Sequence, residues 1–255
     1  MSQRRCVVTG SASGIGAATA DILRGLGAEV IGCDLANAEV IADLSTVDGR
    51  QALIDQVGKW GRIDAVLAVA GGGRTRLLET NYFGTVATLE GLRPMLSSSD
   101  APRAVVVSST SSLAPASSRV LRACADGDEA AATAMVDADP VLRESAYGIA
   151  KRALNGWVRR TAPTPGWAGA RIPLNAVAPG VVDTPAAAWI LEDHEARSAI
   201  EAAAPQPLGF PGRPEWVGHL LSWLVSPQNR FVTGQVIFAD GGIEAQMVGD
   251  RQWSS

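Results

Sequence analysis

The stretch TGSASGIG, from Thr9 to Gly16, decides the fold, because it joins a short apolar run to a helical pattern. Its glycines at 10, 14 and 16 tolerate the backbone conformations of a tight turn and let a ligand approach closely. The N-terminus of the following helix would favour an anion such as a pyrophosphate. The spacing is GxxxGxG and not the more common GxGxxG, so the stretch alone is equally compatible with an ordinary turn.

Short β-branched runs alternate with longer helical patterns along most of the chain. This alternation is typical of one parallel sheet with helices on both faces and right-handed crossovers. We therefore predict an α/β fold in a single domain, residues 1–255, built on a Rossmann-type doubly wound parallel sheet. The predicted strands are residues 6–9, 29–33, 65–69, 104–108, 172–177 and 236–238, and the predicted helices are residues 17–26, 49–60, 80–96, 146–160 and 216–225.

Two segments interrupt this regular order. Residues 110–144 add about the length of a helical hairpin before the predicted helix at 146–160, and we interpret them as a helical insertion. Within it, the pattern favours a helix that stops at Asp139 and Pro140. We interpret residues 185–207 as a substrate flap, although its apolar side chains are equally compatible with packing against the core.

The composition excludes several classes of protein. The net charge is −4 and there is no basic run, so we expect no nucleic-acid partner. Cys6, Cys33 and Cys124 lie far apart, and the chain has only two histidines, so we expect neither a disulfide framework nor a metal site. The N-terminus lacks a secretory signal, and no apolar stretch approaches the roughly 20 residues that span a bilayer. We therefore expect a cytoplasmic protein with no membrane partner.

A carboxylate follows the second predicted strand where a ligand of an adenosine ribose is expected. Asp34 ends an apolar run and lies about 20 residues beyond the glycines. A carboxylate there can accept hydrogen bonds from both ribose hydroxyls but repels a 2′-phosphate. The pattern favours NAD over NADP, and a solvated aspartate at a strand end is the alternative.

A tyrosine and a lysine lie four residues apart in a predicted helix. In Tyr147-Gly148-Ile149-Ala150-Lys151, this spacing places the phenol and the ammonium group on one helical face. The pair alone is a weak signal. It gains weight from Ser108-Ser109 at the end of the preceding predicted strand and from the stretch NAVAPG at 175–180.

Together these motifs resemble the short-chain dehydrogenase/reductase family over essentially the whole chain. The glycine stretch matches the family's cofactor loop, Tyr147 and Lys151 match its catalytic pair, and Asn81 in NYFG matches its helix asparagine. Pro179-Gly180, with Thr184 downstream, resembles its nicotinamide-side loop.

Further features are similar to one group within that family, the bacterial 3α-hydroxysteroid dehydrogenase/carbonyl reductases. They are Asp34-Leu35, the ADLS stretch at 42–45, the insertion and the ending DGGI at 240–243. One departure is that the usual NNAG stretch reads AVAG at 68–71, so the backbone there has to position the cofactor alone. The connection from Gly71 to Asn81 is also short, which we expect to reshape one wall of the site.

The resemblance implies a role for each catalytic position. Tyr147 is expected to be the acid/base, and Lys151, together with the positive ring of an oxidised nicotinamide, is expected to lower its pKa from about 10. Ser109 is expected to hydrogen-bond the substrate oxygen, with Ser108 and Ser111 as neighbouring alternatives. Asn81 is expected to support a water or proton path to Lys151, or else to be a polar residue that kinks its helix.

The cofactor contacts and the function follow from the same resemblance. We expect reversible NAD-dependent interconversion of a secondary alcohol and a ketone on a bulky apolar ring substrate such as a steroid, terpenoid or aromatic alcohol. The alternatives are a non-catalytic NAD-sensing or interaction protein and an NAD-dependent sugar-nucleotide epimerase. The residues expected at the cofactor are Gly10, Ser11, Ser13, Gly14, Ile15, Gly16, Asp34, Leu35, Asp43, Leu44, Ala70, Gly71, Gly72, Tyr147, Lys151, Pro179, Gly180, Val182 and Thr184.

The insertion also bears on assembly. Family members commonly pair through the tyrosine helix and through the last helix and strand. We expect residues 110–144 to cover the outer face of the tyrosine helix, which leaves residues 216–225 and 234–240 for a homodimer.

Overall fold

Seven parallel strands form the sheet of the computed structural model, which describes residues 3–72 and 75–250. The strands are β1 (Arg5–Thr9), β2 (Glu29–Asp34), β3 (Val40–Ile41), β4 (Ala65–Ala68), β5 (Arg103–Val107), β6 (Leu174–Pro179) and β7 (Val236–Ala239). Their order is β3-β2-β1-β4-β5-β6-β7, and every neighbouring pair is parallel. The predicted α/β class and doubly wound sheet are confirmed.

Helices connect the strands. They are α1 (Gly14–Gly25), α2 (Val47–Gly58), α3 (Thr85–Leu96), α4 (Ser118–Asp126), α5 (Glu129–Ala138), α6 (Pro140–Thr161), α7 (Ala188–Leu191), α8 (His194–Ala203), α9 (Pro214–Leu224) and α10 (Ile243–Val248). A π-helical turn, Glu79–Gly84, leads into α3, and 3₁₀ turns span Thr110–Leu113 and Pro185–Ala187. Within the described ranges, no helix combines the length and apolar character needed to cross a membrane.

Side chains of the strands alternate between two apolar cores, one on each face of the sheet. On β1, Cys6 and Val8 pack with α1 and α9, whereas Val7 packs with α2, α3 and α6. Because both faces of the sheet are covered, the central strands are apolar at nearly every position. This is why they could be predicted from short β-branched runs in the sequence.

The order of the strands determines where a ligand can enter. From β1 the chain moves to β2 on one side and returns to β4 on the other, so the loops after β1 and β4 diverge. In such sheets the crevice lies beyond the carboxyl ends of the strands at this point. Thr9, Asp34 and Ala68 end the three strands that border it.

The insertion consists mainly of α4 and α5, which pack against α6. Gly127 ends α4 with a φ of 77°, and Asp128 caps α5 through the amide of Ala131 at 2.9 Å. Asp139 then caps α6, with Pro140 in the first turn. The predicted stop at Asp139 and Pro140 is confirmed. The helix that was predicted from 146 begins earlier, at Pro140, because Asp139 caps it.

Several elements lie outside the sequence predictions. The strand β3 has only two residues at the edge of the sheet, which is too short for a period-two pattern. The flap contains α7 and α8, and Asp193 caps α8 through two amides at 2.9 Å. The flap region is thus largely helical.

Candidate active site

The glycine stretch forms the loop between β1 and α1, and there is no room for a Cβ at its three glycines. Gly10 and Gly14 have φ values of 69° and 52°, a region that favours glycine. A Cβ on Gly16 would collide with the carbonyl oxygen of Gly10. The side chain of Ser13, the N-cap of α1, accepts no capping hydrogen bond from any described residue, so the first amides of α1 stay available to a ligand. This geometry indicates an anion-binding loop, because an ordinary turn does not need free amides at the start of a helix.

Asp34 is held against the glycine loop at the end of β2. Its Oδ2 accepts a hydrogen bond from the amide of Ala12 at 2.9 Å, and its Oδ1 accepts one from the amide of Leu35 at 2.7 Å. Each carboxylate oxygen retains a further lone pair, so both can accept from a vicinal diol. The negative charge is thereby fixed where it would oppose a phosphate.

Asp43 and Leu44 continue this side of the crevice. Asp43 Oδ1 accepts from the amide of Ser45 at 2.9 Å, and hydrogen bonding by Ser45 holds the pKa of Asp43 below its usual value. The Leu44 side chain is buried in the core, so Leu44 can offer a ligand only its backbone. The side chain of Asp43 is exposed and can reach a ligand.

The end of β4 is supported by a residue that the sequence analysis did not single out. The buried hydroxyl of Thr9 accepts hydrogen bonds from the amides of Val69 and Ala70 at 3.1 and 3.0 Å. A Cβ on Gly10 would lie 2.9 Å from the Cα of Ala70, so the two loops touch. Thr9 therefore shapes the backbone of the AVAG stretch that stands in place of NNAG. In the sequence, the only indication of this role of Thr9 is that a residue with a hydroxyl group ends β1.

Asn81 lies in the π-helical turn and is fully buried. Its Oδ1 accepts from the amide of Gly72 at 2.9 Å, and its Nδ2 donates to the carbonyls of Gly72 and Leu77 at 3.2 and 3.0 Å. A Cβ on Gly71 would lie 2.7 Å from Asn81 Oδ1 and 3.0 Å from Lys151 Nζ. Asn81 therefore holds the short connection after β4, and Gly71 preserves a gap between the amide and the ammonium group. π-Turns are frequent at functional sites.

Of the three serines at the end of β5, Ser109 is best placed for a substrate. Ser108 is buried, and its hydroxyl donates to the carbonyl of Lys151 at 3.4 Å. Ser109 is more accessible and accepts from the amide of Ser111 at 3.1 Å, while its hydroxyl lies 3.2 Å from that of Ser111. Ser108 is therefore turned into the protein, and Ser111 supports Ser109.

Tyr147 lies on α6 beside Ser109. Burial raises the pKa of the Tyr147 phenol above its usual value, and the hydrogen bond with Ser109 opposes this only in part. Among the protein's own groups desolvation therefore dominates, and the expectation that Lys151 together with an oxidised nicotinamide lowers this pKa stays a prediction. A lower pKa would need positive charge brought by a cofactor.

Lys151 is 2% exposed, and its Nζ lies 5.5 Å from the centre of the Tyr147 ring. Nζ donates to the carbonyl of Val107 at 2.9 Å. Burial lowers the pKa of Lys151 to about 7. The ammonium group is thus directed toward the tyrosine and can gain or lose its proton near neutral pH.

The nicotinamide-side loop closes onto the glycine loop. Thr184 packs its methyl group on Gly14, where a Cβ would lie 2.9 Å away, and its hydroxyl lies 3.3 Å from the carbonyl of Val182. Val182 pairs with Gly212 and is buried, so its side chain faces the core and not the crevice. The side chain of Thr184 therefore contacts the glycine loop at Gly14.

Gln206 ties the flap to this loop and was also missed. Its Oε1 accepts from the amide of Val181 at 2.5 Å, and its Nε2 donates to the carbonyl of Gly209 at 3.0 Å. A Cβ on Gly180 would collide with Oε1 of Gln206. A glutamine in a proline-rich connection carries no motif, so the sequence offered no signal for it.

Large apolar side chains remain exposed in and after the flap. Trp189 on α7 is 57% exposed and Leu208 is 86% exposed. Arg197 stacks on the ring of Phe210 at 5.4 Å, which braces α8. Trp189 and Leu208 thus leave apolar surface exposed to solvent in this part of the chain.

Comparison with known proteins places this geometry among oxidoreductases. A family model described as enoyl-(acyl carrier protein) reductase matches residues 10–244. The 3-alpha-hydroxysteroid dehydrogenase/carbonyl reductase of Comamonas testosteroni is 38% identical over 94% of this chain and 96% of its own length. The cis-4-hydroxycyclohexanecarboxylate dehydrogenase of Sinomonas cyclohexanicum is 31% identical over 95% of this chain and 97% of its own.

A solved structure agrees with these relatives. The 3-alpha-hydroxysteroid dehydrogenase from Pseudomonas sp. B-0831, crystallised in complex with NADH, superposes with a TM-score of 0.89 and 35% identity. The match covers 98% of this chain and all of that one. The similarity therefore extends over the sheet, the insertion and the flap together.

Proposed function

The chain belongs to the short-chain dehydrogenase/reductase family, and on that premise we propose that it is an NAD(H)-dependent enzyme that interconverts a secondary alcohol and a ketone. The observation that carries the proposal is the meeting of Ser109, Tyr147 and Lys151 at the carboxyl edge of the sheet, beside the glycine loop. A hydroxyl, a phenol and a lysine amine gathered at one place form a proton-transfer set, which a binding module does not need.

The residues present fit a nicotinamide adenine dinucleotide. The glycine loop offers amides and space to the pyrophosphate, and Asp34 offers two acceptors to the ribose of the adenosine. The NADH in the similar Pseudomonas enzyme supports the same cofactor here. When bound, NAD supplies the hydride acceptor for alcohol oxidation, and NADH supplies the hydride for ketone reduction. Asp34 favours NAD over NADP, because its charge opposes a 2′-phosphate.

The chain's own residues would handle the proton. Ser109 donates to the substrate oxygen and stabilises the charge that develops on it. Tyr147 takes the hydroxyl proton at its Oη during oxidation and returns it during reduction. Lys151, held on β5 by Val107, keeps its Nζ near the phenol, where it and the positive nicotinamide ring of bound NAD would together favour the ionised form. Asn81 keeps the gap above Gly71 open next to Lys151.

The proposed substrate is a bulky apolar ring alcohol. Both relatives named above carry names that denote a hydroxyl group on a ring. The exposed Trp189 and Leu208 give the flap apolar surface on which such a ring could pack. The substrate would be enclosed between this flap and the turn that follows Ser109.

We include a homodimer and a cytoplasmic location in the proposal. The insertion helices α4 and α5 cover part of α6, which leaves α9 and β7 as the pairing surface. On that side Trp223 is 41% exposed and Phe231 is 99% exposed, so apolar area is available to a two-fold mate. The free thiols of Cys6, Cys33 and Cys124 are buried and unpaired, which suits a reducing compartment.

A substrate panel tests the proposed function. Steroid, terpenoid, aromatic and cyclohexane alcohols are each offered with NAD and with NADP while the absorbance of reduced nicotinamide is followed. Turnover of a ring alcohol with NAD is expected. Saturable NAD binding without turnover of any alcohol would favour the sensor. A nucleotide sugar offered with NAD tests the epimerase, with the epimer followed by chromatography because no net NADH forms. An enoyl thioester offered with NADH tests the reaction in the family model's description, and oxidation of NADH by that substrate alone would favour it.

A further inference from the structure

Arg50 on α2 joins three separate segments through one buried guanidinium group. It is 8% exposed, and its Nε donates to the carbonyl of Leu44 at 2.8 Å. Its Nη2 donates to the carbonyl of Glu79 at 2.9 Å. Its Nη1 and Nη2 also bind Glu129 Oε2 and Oε1 at 2.6 and 2.7 Å. The segments it joins are the Asp43–Ser45 loop, the π-turn that carries Asn81, and the insertion helix α5.

The contact between the loop and the π-turn is tight. A Cβ on Gly84 would lie 2.5 Å from the carbonyl oxygen of Leu44 and 3.0 Å from that of Glu79. Arg76 adds a second connection, because its Nη2 donates to the carbonyl of Ser45 at 2.9 Å and its Nε lies 3.5 Å from Glu79 Oε1. A shift of Arg50 would therefore move both the loop and the turn.

Glu129 offsets the free-energy cost of burying the guanidinium group of Arg50. The two side chains are 9% and 29% exposed and form a bidentate pair, the geometry in which an ion pair binds most strongly. The pair of Arg24 with Asp21, by contrast, is 46% and 79% exposed and meets at 3.4 Å. Removal of the carboxylate would leave a buried guanidinium with only neutral carbonyls, which is costly.

We propose that Arg50 is a positioning residue for the adenine end of the cofactor, and that the insertion acts on the cofactor site by holding Arg50 through Glu129. This inference rests on the proposed function, because it assumes that Asp43 and its neighbours meet the adenosine. The insertion then does more than enclose a substrate. Through Arg50 it braces the Asp43–Ser45 loop at the carbonyl of Leu44, and it braces the turn of Asn81 at the carbonyl of Glu79.

The decisive variant is Glu129→Gln, which keeps the shape of the side chain and removes its charge. Asp137→Asn is the matched control, because Asp137 lies exposed on the same helix and makes no ion pair with any described residue. Titration of intrinsic fluorescence measures the affinities for NADH, for AMP and for reduced nicotinamide mononucleotide, which lacks the adenosine.

Glu129→Gln should bind NADH and AMP about tenfold more weakly, a loss of about 1.4 kcal/mol. Its affinity for reduced nicotinamide mononucleotide should be unchanged, and Asp137→Asn should match the wild type throughout. Hydrogen exchange should become faster at residues 43–45 and 79–84 and stay the same in the core of α6. The variant Arg50→Lys keeps the charge but loses the planar guanidinium group that binds Glu129 through two hydrogen bonds. It should show the same pattern.

Three results would overturn the inference. A lower melting temperature with unchanged NADH and AMP affinity would make the pair a stabilising contact only. An equal loss for all three nucleotides would indicate general damage to the site. Wild-type protein that binds neither NADH nor AMP would refute the proposed function itself and the adenine-side role with it, an outcome separate from the first two because it needs no variant.

Discussion

Lys151 Nζ donates a 2.9 Å hydrogen bond to the carbonyl oxygen of Val107, the last residue of β5. The lysine is therefore fixed to the strand that leads into Ser108 and Ser109, and not only to its own helix. Since Val107 also pairs with Val177 on β6, the ammonium group is held by the rigid centre of the sheet. A lysine placed in this way has little freedom to move away from Tyr147.

Tyr147→Phe should remove the transferable proton while it keeps the ring and its packing. We expect turnover to fall by at least about 100-fold, the contribution typical of a lost general acid/base. NADH affinity, measured by fluorescence titration, should change little. A variant with near-normal turnover would refute the role of Tyr147 as the acid/base.

Asp34→Ala should weaken the preference for NAD over NADP. The wild type should use NAD better, since the carboxylate accepts from both ribose hydroxyls and repels a 2′-phosphate. The variant should lose kcat/KM with NAD and gain relative activity with NADP. Initial rates with each cofactor measure the ratio, and equal use of both by the wild type would contradict the assignment.

Lys151→Met should change how stability depends on pH. Burial lowers the pKa of Lys151 from 10.5 to about 7, so between these values the unfolded chain holds a proton that the folded chain has released. Relative to the variant, the wild type should therefore gain stability as pH rises above 7, by up to about 1.4 kcal/mol per pH unit. Below pH 7, the folded and the unfolded chain both carry the proton. The difference in the free energy of unfolding between wild type and variant should therefore stay constant there.

Urea unfolding between about pH 6 and pH 9 measures this difference in the free energy of unfolding. Comparison with the variant cancels the contributions that the other titrating groups make to both proteins. A difference that does not change with pH in the upper half of this range would show that Lys151 is not desolvated as the fold indicates.

Gly71→Ala should close the gap between Asn81 and Lys151. The new methyl group would lie 2.7 Å from Asn81 Oδ1 and 3.0 Å from Lys151 Nζ, both closer than ordinary contact. We expect kcat/KM to fall about tenfold or more, which corresponds to about 1.4 kcal/mol of transition-state stabilisation. Gly25→Ala is the control, because a Cβ on that helical residue meets nothing within 4 Å. Activity in Gly71→Ala equal to that control would show that the gap has no role.

Trp223→Glu should convert the proposed homodimer to a monomer. A charge on α9 would have to be buried against its own copy across the two-fold axis. Light scattering over a concentration series measures the mass, with Trp189→Glu on the flap as a control that should remain dimeric. A wild-type tetramer would show that the insertion leaves α6 free to pair.

The sequence by itself determined the features whose causes are local. Strands buried on both faces have to be apolar, so the runs at β1, β4 and β5 were recognisable without any contact being known. The turn at Gly10 to Gly16 needs residues without Cβ, and the four-residue spacing of Tyr147 and Lys151 places them on one face of any helix.

Tertiary structure decided what depends on residues distant in the chain. Arg50 and Glu129 are 79 positions apart, and neither carries a motif, so their pairing could not be inferred from the sequence. The support that Thr9 gives to Ala70 exists only because β1 and β4 are neighbours in the sheet. Burial raises the pKa of Tyr147. This desolvation depends on everything packed around the phenol, and no pattern of four residues contains that information.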